Sequence, residues 1–207
     1  DWYIPSKDEL NLIYTNLKAN GIGNLSDFPH WSSSENTSNP WHAWRQDFSN
    51  GVQSNDTVYK NATFPTRPIR DFVSGDQFNI GDPGPGGGWI FHKVHISGSD
   101  YKYYETARHN IWGIWAPPSF YDIPGADGTA VGDGWQNTVD MKNALYGDAT
   151  IYGDTTLVTF VWDFEVKHIL YDYPASWGFG SEIGIIDDQS YSFFQLIVYP
   201  DVTETIH

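Results

Sequence analysis

The stretch Gly81-Asp82-Pro83-Gly84-Pro85-Gly86-Gly87-Gly88-Trp89-Ile90-Phe91 decides how the chain is read. Glycine, lacking a Cβ, lets a backbone turn sharply and approach a neighbour closely. The residues from Trp89 through His95 then read as a strand, with Tyr101 to Ala107 as its returning partner. A phosphate-binding loop would carry Lys and Ser or Thr directly after its glycines and a helix behind them. Neither follows here, so the string is read as a structural corner leading into an antiparallel pair.

Upstream, Pro5-Ser6-Lys7-Asp8-Glu9 is a helix start. Ser6 caps the first turn, Glu9 reaches back, and Leu10, Ile13, Tyr14 and Leu17 follow at helical spacing towards a stop near Gly21. Lys7, Asp8 and Glu9 are expected on a solvated first turn. From Trp31 the pattern changes to short strands between Ser, Asn and Gly clusters. Within Ala43 to Phe48, the residues Trp44, Gln46 and Phe48 share the face expected to be buried. Asn50-Gly51 then marks a tight turn, since both residues tolerate positive φ. Thr66 to Phe72 reads as a closing strand, and Val73 to Asn79 as an internal seam.

Several of these strings resemble a known family. His30-Trp31-Ser32-Ser33-Ser34-Glu35, Ala43-Trp44 with Asp47-Phe48-Ser49-Asn50-Gly51, and Arg67-Pro68-Ile69-Arg70-Asp71-Phe72 resemble the C-terminal half of a bacterial and phage domain. That domain is similar to the C-terminal domain of the Legionella collagen-like adhesin, within the C-type-lectin-like fold shared with formylglycine-generating enzymes. The Gly81 to Phe91 string, Trp112-Gly113, Gly125-Ala126-Asp127-Gly128-Thr129, Gly132-Asp133-Gly134 and Gln136-Asn137-Thr138 resemble its opening half, with a short helix after Asn137 or Thr138. The closing half comes first, so the chain looks permuted or cut from a tandem array. The resemblance implies an α+β fold: a C-type-lectin-like domain with short helices and a twisted, mainly antiparallel sheet. Its closing half would occupy 1–75 and its opening half 76–145, with a strand-rich C-terminal extension at 146–207.

The resemblance ends at Tyr146. Beyond it, Thr155 to Tyr171 and Ser190 to Tyr199 are rich in strand-forming residues, and Val158, Phe160, Trp162 and Phe164 alternate into one apolar face. Together with Phe193 and Tyr199, this face is the expected assembly surface, a strand donated to the sheet of the next subunit.

At 207 residues the chain can bury a full core without metal or disulfide staples. It has no cysteine, which removes disulfides, thiolate metal sites and formylglycine-generating chemistry together. The formal net charge of −15 opposes nucleic-acid phosphate, anionic membranes and sulfated glycans at long range. Neutral sugars, cations and like-folded protein neighbours stay open, whereas nucleic acid is not an expected partner. No apolar stretch approaches the length of a membrane span, so no membrane insertion is expected. The chain starts at Asp1 without an initiator Met, which reads as a processed or partial sequence. The Asn-x-Ser/Thr triplets at Asn24, Asn36, Asn55 and Asn61 read as chance occurrences in Asn/Ser/Thr-rich loops.

Loop aromatics supply the binding candidates. Trp41, Trp112, Trp115 and Tyr121 offer faces on which a sugar ring can stack beside Asn and Asp rims. Trp115, flanked by Ala116-Pro117-Pro118, is expected to be exposed, and Trp31 and Trp44 to lie in the core. Asp122, Asp127, Asp133 and Asn137 carry hard oxygens of the kind Ca²⁺ takes, but their spacing fits no EF-hand, and Asp-Gly turns explain the same residues. No cofactor is assigned. His92 and His95 would face opposite sides of a strand and so do not share a metal. Among Glu35, Asp47, Asp71, Glu105, Asp163 and Glu165, nothing singles out a hydrolytic pair. The expected function is that of a non-enzymatic structural and adhesive subunit outside the cell or on a virion, joined head to tail with copies of itself into a fibre. A monomeric carbohydrate-binding lectin-like domain with a cell-surface glycan as partner is the alternative, and a glycan-active enzyme is a third class.

Overall fold

The computed structural model of the chain describes residues 2–117 and 122–146. Tyr121 and the assembly residues Val158, Phe160, Trp162, Phe164, Phe193 and Tyr199 lie outside the described residues. Helix α1 (Lys7–Asn16) starts as its sequence requires: the Ser6 hydroxyl accepts from the Glu9 N–H, and the Glu9 carboxylate accepts from the Ser6 N–H at 2.8 Å. Leu10, Ile13 and Leu17 are buried, and a 3-10 turn at Lys18–Asn20 ends on Gly21 at φ +70°. The first turn is not wholly solvated, however. Glu9 is buried, because its second oxygen accepts the N–H of Gly132 at 2.9 Å, far along the chain.

The described strands form three antiparallel sheets. One has the order β1 (Pro29–Glu35), β2 (Ala43–Asp47), β3 (Gln53–Ser54). A second pairs β4 (Thr63–Thr66) with a later strand at Ile111–Ile114. The third contains β5 (Ile69–Ser74), with β6 (Trp89–Ser97) and β7 (Asp100–Thr106) in the order β5-β7-β6. The Ile111–Ile114 strand is thus β8, and helix α2 (Asp133–Tyr146) follows it. Helices and antiparallel sheets together make the architecture α+β. Thr66 to Phe72 does not run as one strand. Arg67-Pro68 interrupts it, and since Pro68 has no N–H for a ladder, β4 and β5 leave for different sheets. Helix α2 also starts earlier than Asn137, with Asp133 accepting the Ala130 N–H at 2.8 Å.

Pairing crosses the boundary between 1–75 and 76–145 within one chain. β4 pairs with β8, and β5 pairs with β7 from Ile69↔Thr106 to Ser74↔Tyr101. The N-terminal segment ties in beside them, as Tyr3 and Ile69 exchange both main-chain hydrogen bonds at 2.8 and 2.9 Å. Alternation along that segment serves two cores. Tyr3 joins Leu10, Ile13, Phe48, Phe91 and Tyr104, whereas Trp2 and Ile4 join Trp31, Trp115, Ile123, Met141 and Leu145.

Along β2 and its exit, Gln46 and Phe48 are buried, while Trp44 is half-buried with the Lys7 ammonium over its ring at 5.1 Å. The turn that follows is longer than a two-residue hairpin. Asp47 N–H donates to Val52 O across Phe48 to Gly51, and only Gly51 has positive φ, at +80°. Asn50 instead accepts the Val52 N–H on its side-chain oxygen. Phe48 stacks on His30 with ring centroids 4.1 Å apart and tilts against Tyr14 at 5.6 Å. Phe48→Ala is therefore expected to cost about 3–5 kcal/mol as a large-to-small core change. Urea denaturation measures this, and a near-zero shift would place Phe48 outside the core.

Candidate functional site

Two loops meet beside the β1–β2 sheet. The connector between β1 and β2 is ordered by its own side chains: Asn36 Nδ2 donates to Asn55 O at 2.8 Å, Asn36 Oδ1 accepts from Ser38 N–H at 2.9 Å, and Asn39 Oδ1 accepts from Trp41 N–H at 3.3 Å. An isolated bridge then joins His42 to Tyr59, whose rings stack with centroids 5.1 Å apart. His42 Nδ1 lies 2.9 Å from Val58 O, and because a carbonyl only accepts, Nδ1 carries the proton. Trp41 is 47% exposed and Tyr59 61% exposed at this junction. The sequence reading found Trp41 but missed Tyr59, which sits in an Asn/Asp/Thr-rich stretch with no periodic signal.

Beneath the junction, Lys60 N–H donates to Trp41 O at 3.1 Å, and Lys60 O accepts from Trp115 N–H at 2.8 Å. Lys60 therefore ties Trp41 and Trp115 to one backbone position. Trp115 is not an exposed loop aromatic. It is fully buried, its indole N–H donates to Ser32 O at 2.8 Å, and the Lys60 ammonium sits 4.3 Å from its ring centre. Trp115 follows the end of β8 at Ile114, and its ring turns into the core. Trp112 lies across from Pro65 in the β4–β8 pair, half-buried with its ring edge-on to Phe28 at 5.4 Å. Trp31 is buried as expected.

Lys60 and Glu35 form a buried ion pair. The Ile123 N–H faces both Glu35 oxygens at 3.2 and 3.3 Å. Burial pulls the Lys60 ammonium down from its ordinary value to about 7, and Asp122 opposes this.

Asp47, Asp71 and Glu105 each bind partners of their own elsewhere in the fold. Asp47 accepts from Ser49 in the turn, and Asp71 accepts from Tyr3 at 2.9 Å and pairs with Lys102 at 3.0 Å. Glu105 is buried inside the glycine corner, where Gly86 N–H (3.1 Å), Gly88 N–H (2.8 Å) and Arg70 (2.9 Å) all donate to it. The corner thus holds the chain's own carboxylate where a phosphate loop holds an anion. Asp163 and Glu165 lie outside the described residues.

In the Asp122 to Asn137 region, Asn137 Oδ1 accepts from Gly128 N–H at 3.1 Å and Asp133 holds Ala130, as turn-forming residues do. Among the described residues, no group of three or more His, Asp or Glu gathers as a metal site would require. His92 pairs across from Tyr104 and His95 from Tyr101, which puts them on opposite faces of β6. Comparison with known proteins finds no family model, no curated protein and no solved structure that matches the chain.

His30 is the buried base of this region. Its Nδ1 lies 2.7 Å from Phe28 O, and burial together with the nearby Arg67 charge pushes its pKa down to about 3. The unfolded chain takes up that proton near pH 6.5 and the folded chain does not, so stability falls as pH drops from about 6.5 towards about 3. Glu9 works the other way: burial raises its pKa, which adds stability as pH falls through its folded value. Urea titrations of wild type and His30→Gln at pH 7 and pH 4 separate the two. The variant is expected to lose less stability on acidification, by on the order of 2–3 kcal/mol. Equal losses would mean that His30 is protonated in the fold.

Proposed function

We propose that the chain is a non-enzymatic adhesive module displayed outside the cell or on a virion, with a lectin-like fold that takes neutral cell-surface glycans at the Trp41 and Tyr59 loops. One observation carries the reading: two large, partly exposed aromatic side chains lie on loops whose backbones are stapled by Asn36, Asn39 and the His42–Tyr59 bridge. Aromatic faces attract sugar rings, and a loop that is already ordered loses little entropy on binding. The resemblance of the His30–Glu35 and Gly81–Phe91 strings to an adhesin domain points the same way. The net charge of −15 favours neutral over sulfated sugars. Glu35, Asp47, Asp71 and Glu105 each serve other donors within the fold, which favours a binding role over glycoside hydrolysis, where two carboxyl groups face one bond. On a glycan array, Trp41→Ala and Tyr59→Ala should each stay folded and weaken binding about 2- to 10-fold. Unchanged binding by both would sink the site.

Assembly with copies of itself is the second part of the proposal. It is favoured by Val73 and Val94, which flank Lys102 in one row of the β5-β7-β6 sheet and are exposed together with Ile96. A strand from the next chain, with the Val158 to Phe164 face or the Phe193 to Tyr199 run as donor, would add to this sheet. Deleting residues 190–207, or replacing Val94 with Lys, should then shift the sedimenting species from polymer to monomer. A wild-type chain that sediments as a monomer at all concentrations would leave the isolated glycan-binding domain as the reading.

A further inference from the structure

We infer that Lys60 and Glu35 condense into an intramolecular amide, a covalent cross-link between the end of β1 and the loop that leads into β4. The two side chains touch through Nζ and Oε1 and are 4% and 5% exposed. Both backbones are fixed. Glu35 N–H donates to Ala126 O at 2.6 Å and Glu35 pairs with Ala43, while Lys60 is held by Trp41, Trp115 and Ala116. Trp115 covers one side of the amine. Reacting groups held in contact reach effective molarities of roughly 10⁵–10⁸ M in well-oriented systems, and this site also excludes the water that would reverse the step.

The chemistry needs only these groups. In a medium of low dielectric, proton transfer from ammonium to carboxylate turns the ion pair into a neutral amine and a neutral acid. The pull of burial on Lys60 towards neutrality acts in the same direction. The Nζ lone pair then attacks Glu35 Cδ. Negative charge develops on a carboxyl oxygen that faces the Ile123 N–H, the position an oxyanion-stabilising donor takes. A proton passes from nitrogen to the departing hydroxyl, the C–O bond breaks, and water leaves. The balance is one ammonium and one carboxylate giving one amide and one water, with no oxidant, reductant or co-reactant. In a chain without cysteine, the product closes a covalent loop between residues 25 apart, as a disulfide would.

The test is the intact mass of the full chain, purified folded and measured under denaturing conditions. The expected result is a mass one water below that of the sequence, with proteolysis yielding a branched peptide that joins the Glu35 and Lys60 segments and no tryptic cut after Lys60. Lys60→Arg and Glu35→Ala should each restore the full mass. If neither variant folds, the wild-type mass and the branched peptide still decide. A folded wild-type chain at full sequence mass overturns the proposal. So does a missing water that maps to a succinimide at Asp127-Gly128 or Asp133-Gly134.

Discussion

A carboxylate taken out of water must recover its hydration through hydrogen bonds, and the irregular parts of this fold are organised around that requirement. Glu9, Glu35 and Glu105 are all buried. Each accepts main-chain N–H groups from a segment without regular structure: Gly132 for Glu9, Ile123 for Glu35, and Gly86 with Gly88 for Glu105. Buried loop N–H groups need partners as much as the carboxylates do, so each contact satisfies both sides. The side chain acts as a template on which a loop is wound. This is why glycine recurs at the contacts: a Cβ at position 84 would fall 2.3 Å from the Glu105 carboxyl carbon, and one at position 134 would fall 2.3 Å from a Glu9 oxygen.

These three contacts also knit the chain across long separations. Glu9 lies at the start of α1, yet its partner Gly132 stands immediately before α2. Asn137, from α2, adds bonds to Ser33 of β1 and to Gly128. The segments 1–75 and 76–145 are therefore interleaved by sheet pairing and by buried polar bonds alike. For self-assembly this matters. In the proposed self-assembly, contact between copies would then run through open sheet edges.

Local rules carried the sequence reading where the cause was local. The capping box at Ser6 and Glu9, the stop at Gly21, the β6 and β7 strands and the tight approach at the glycine corner all follow from spacing within a few residues. The reading failed where a distant partner decides. Glu9 has the sequence context of a solvated first turn, and only the Gly132 N–H draws it inside. Trp115 sits beside two prolines like a loop-tip aromatic, and only Ser32 O and the Lys60 ammonium explain its burial. The break at Arg67-Pro68 was legible from the proline, which has no N–H to offer a ladder. Tyr59 carried no signal, because it is placed by an isolated bridge to His42 outside the strands, not by a local pattern.

Rigidity at the Trp41 and Tyr59 loops follows from the same economy of polar groups. Asn36 and Asn39 hydrogen-bond the backbone of their own loop, so the connector is ordered before any ligand arrives. The Lys60 main chain then anchors it from below, since its N–H donates to Trp41 O while its carbonyl accepts from the Trp115 N–H. Trp and Tyr side chains have two principal torsions each, so presenting them on a fixed backbone gives a large contact area at low entropic cost. The acidic charge of the chain would bias the proposed site against sulfated sugars at long range. At the proposed glycan site affinity and selectivity would thereby be separated: ring faces would set the first, and net charge would bias the second.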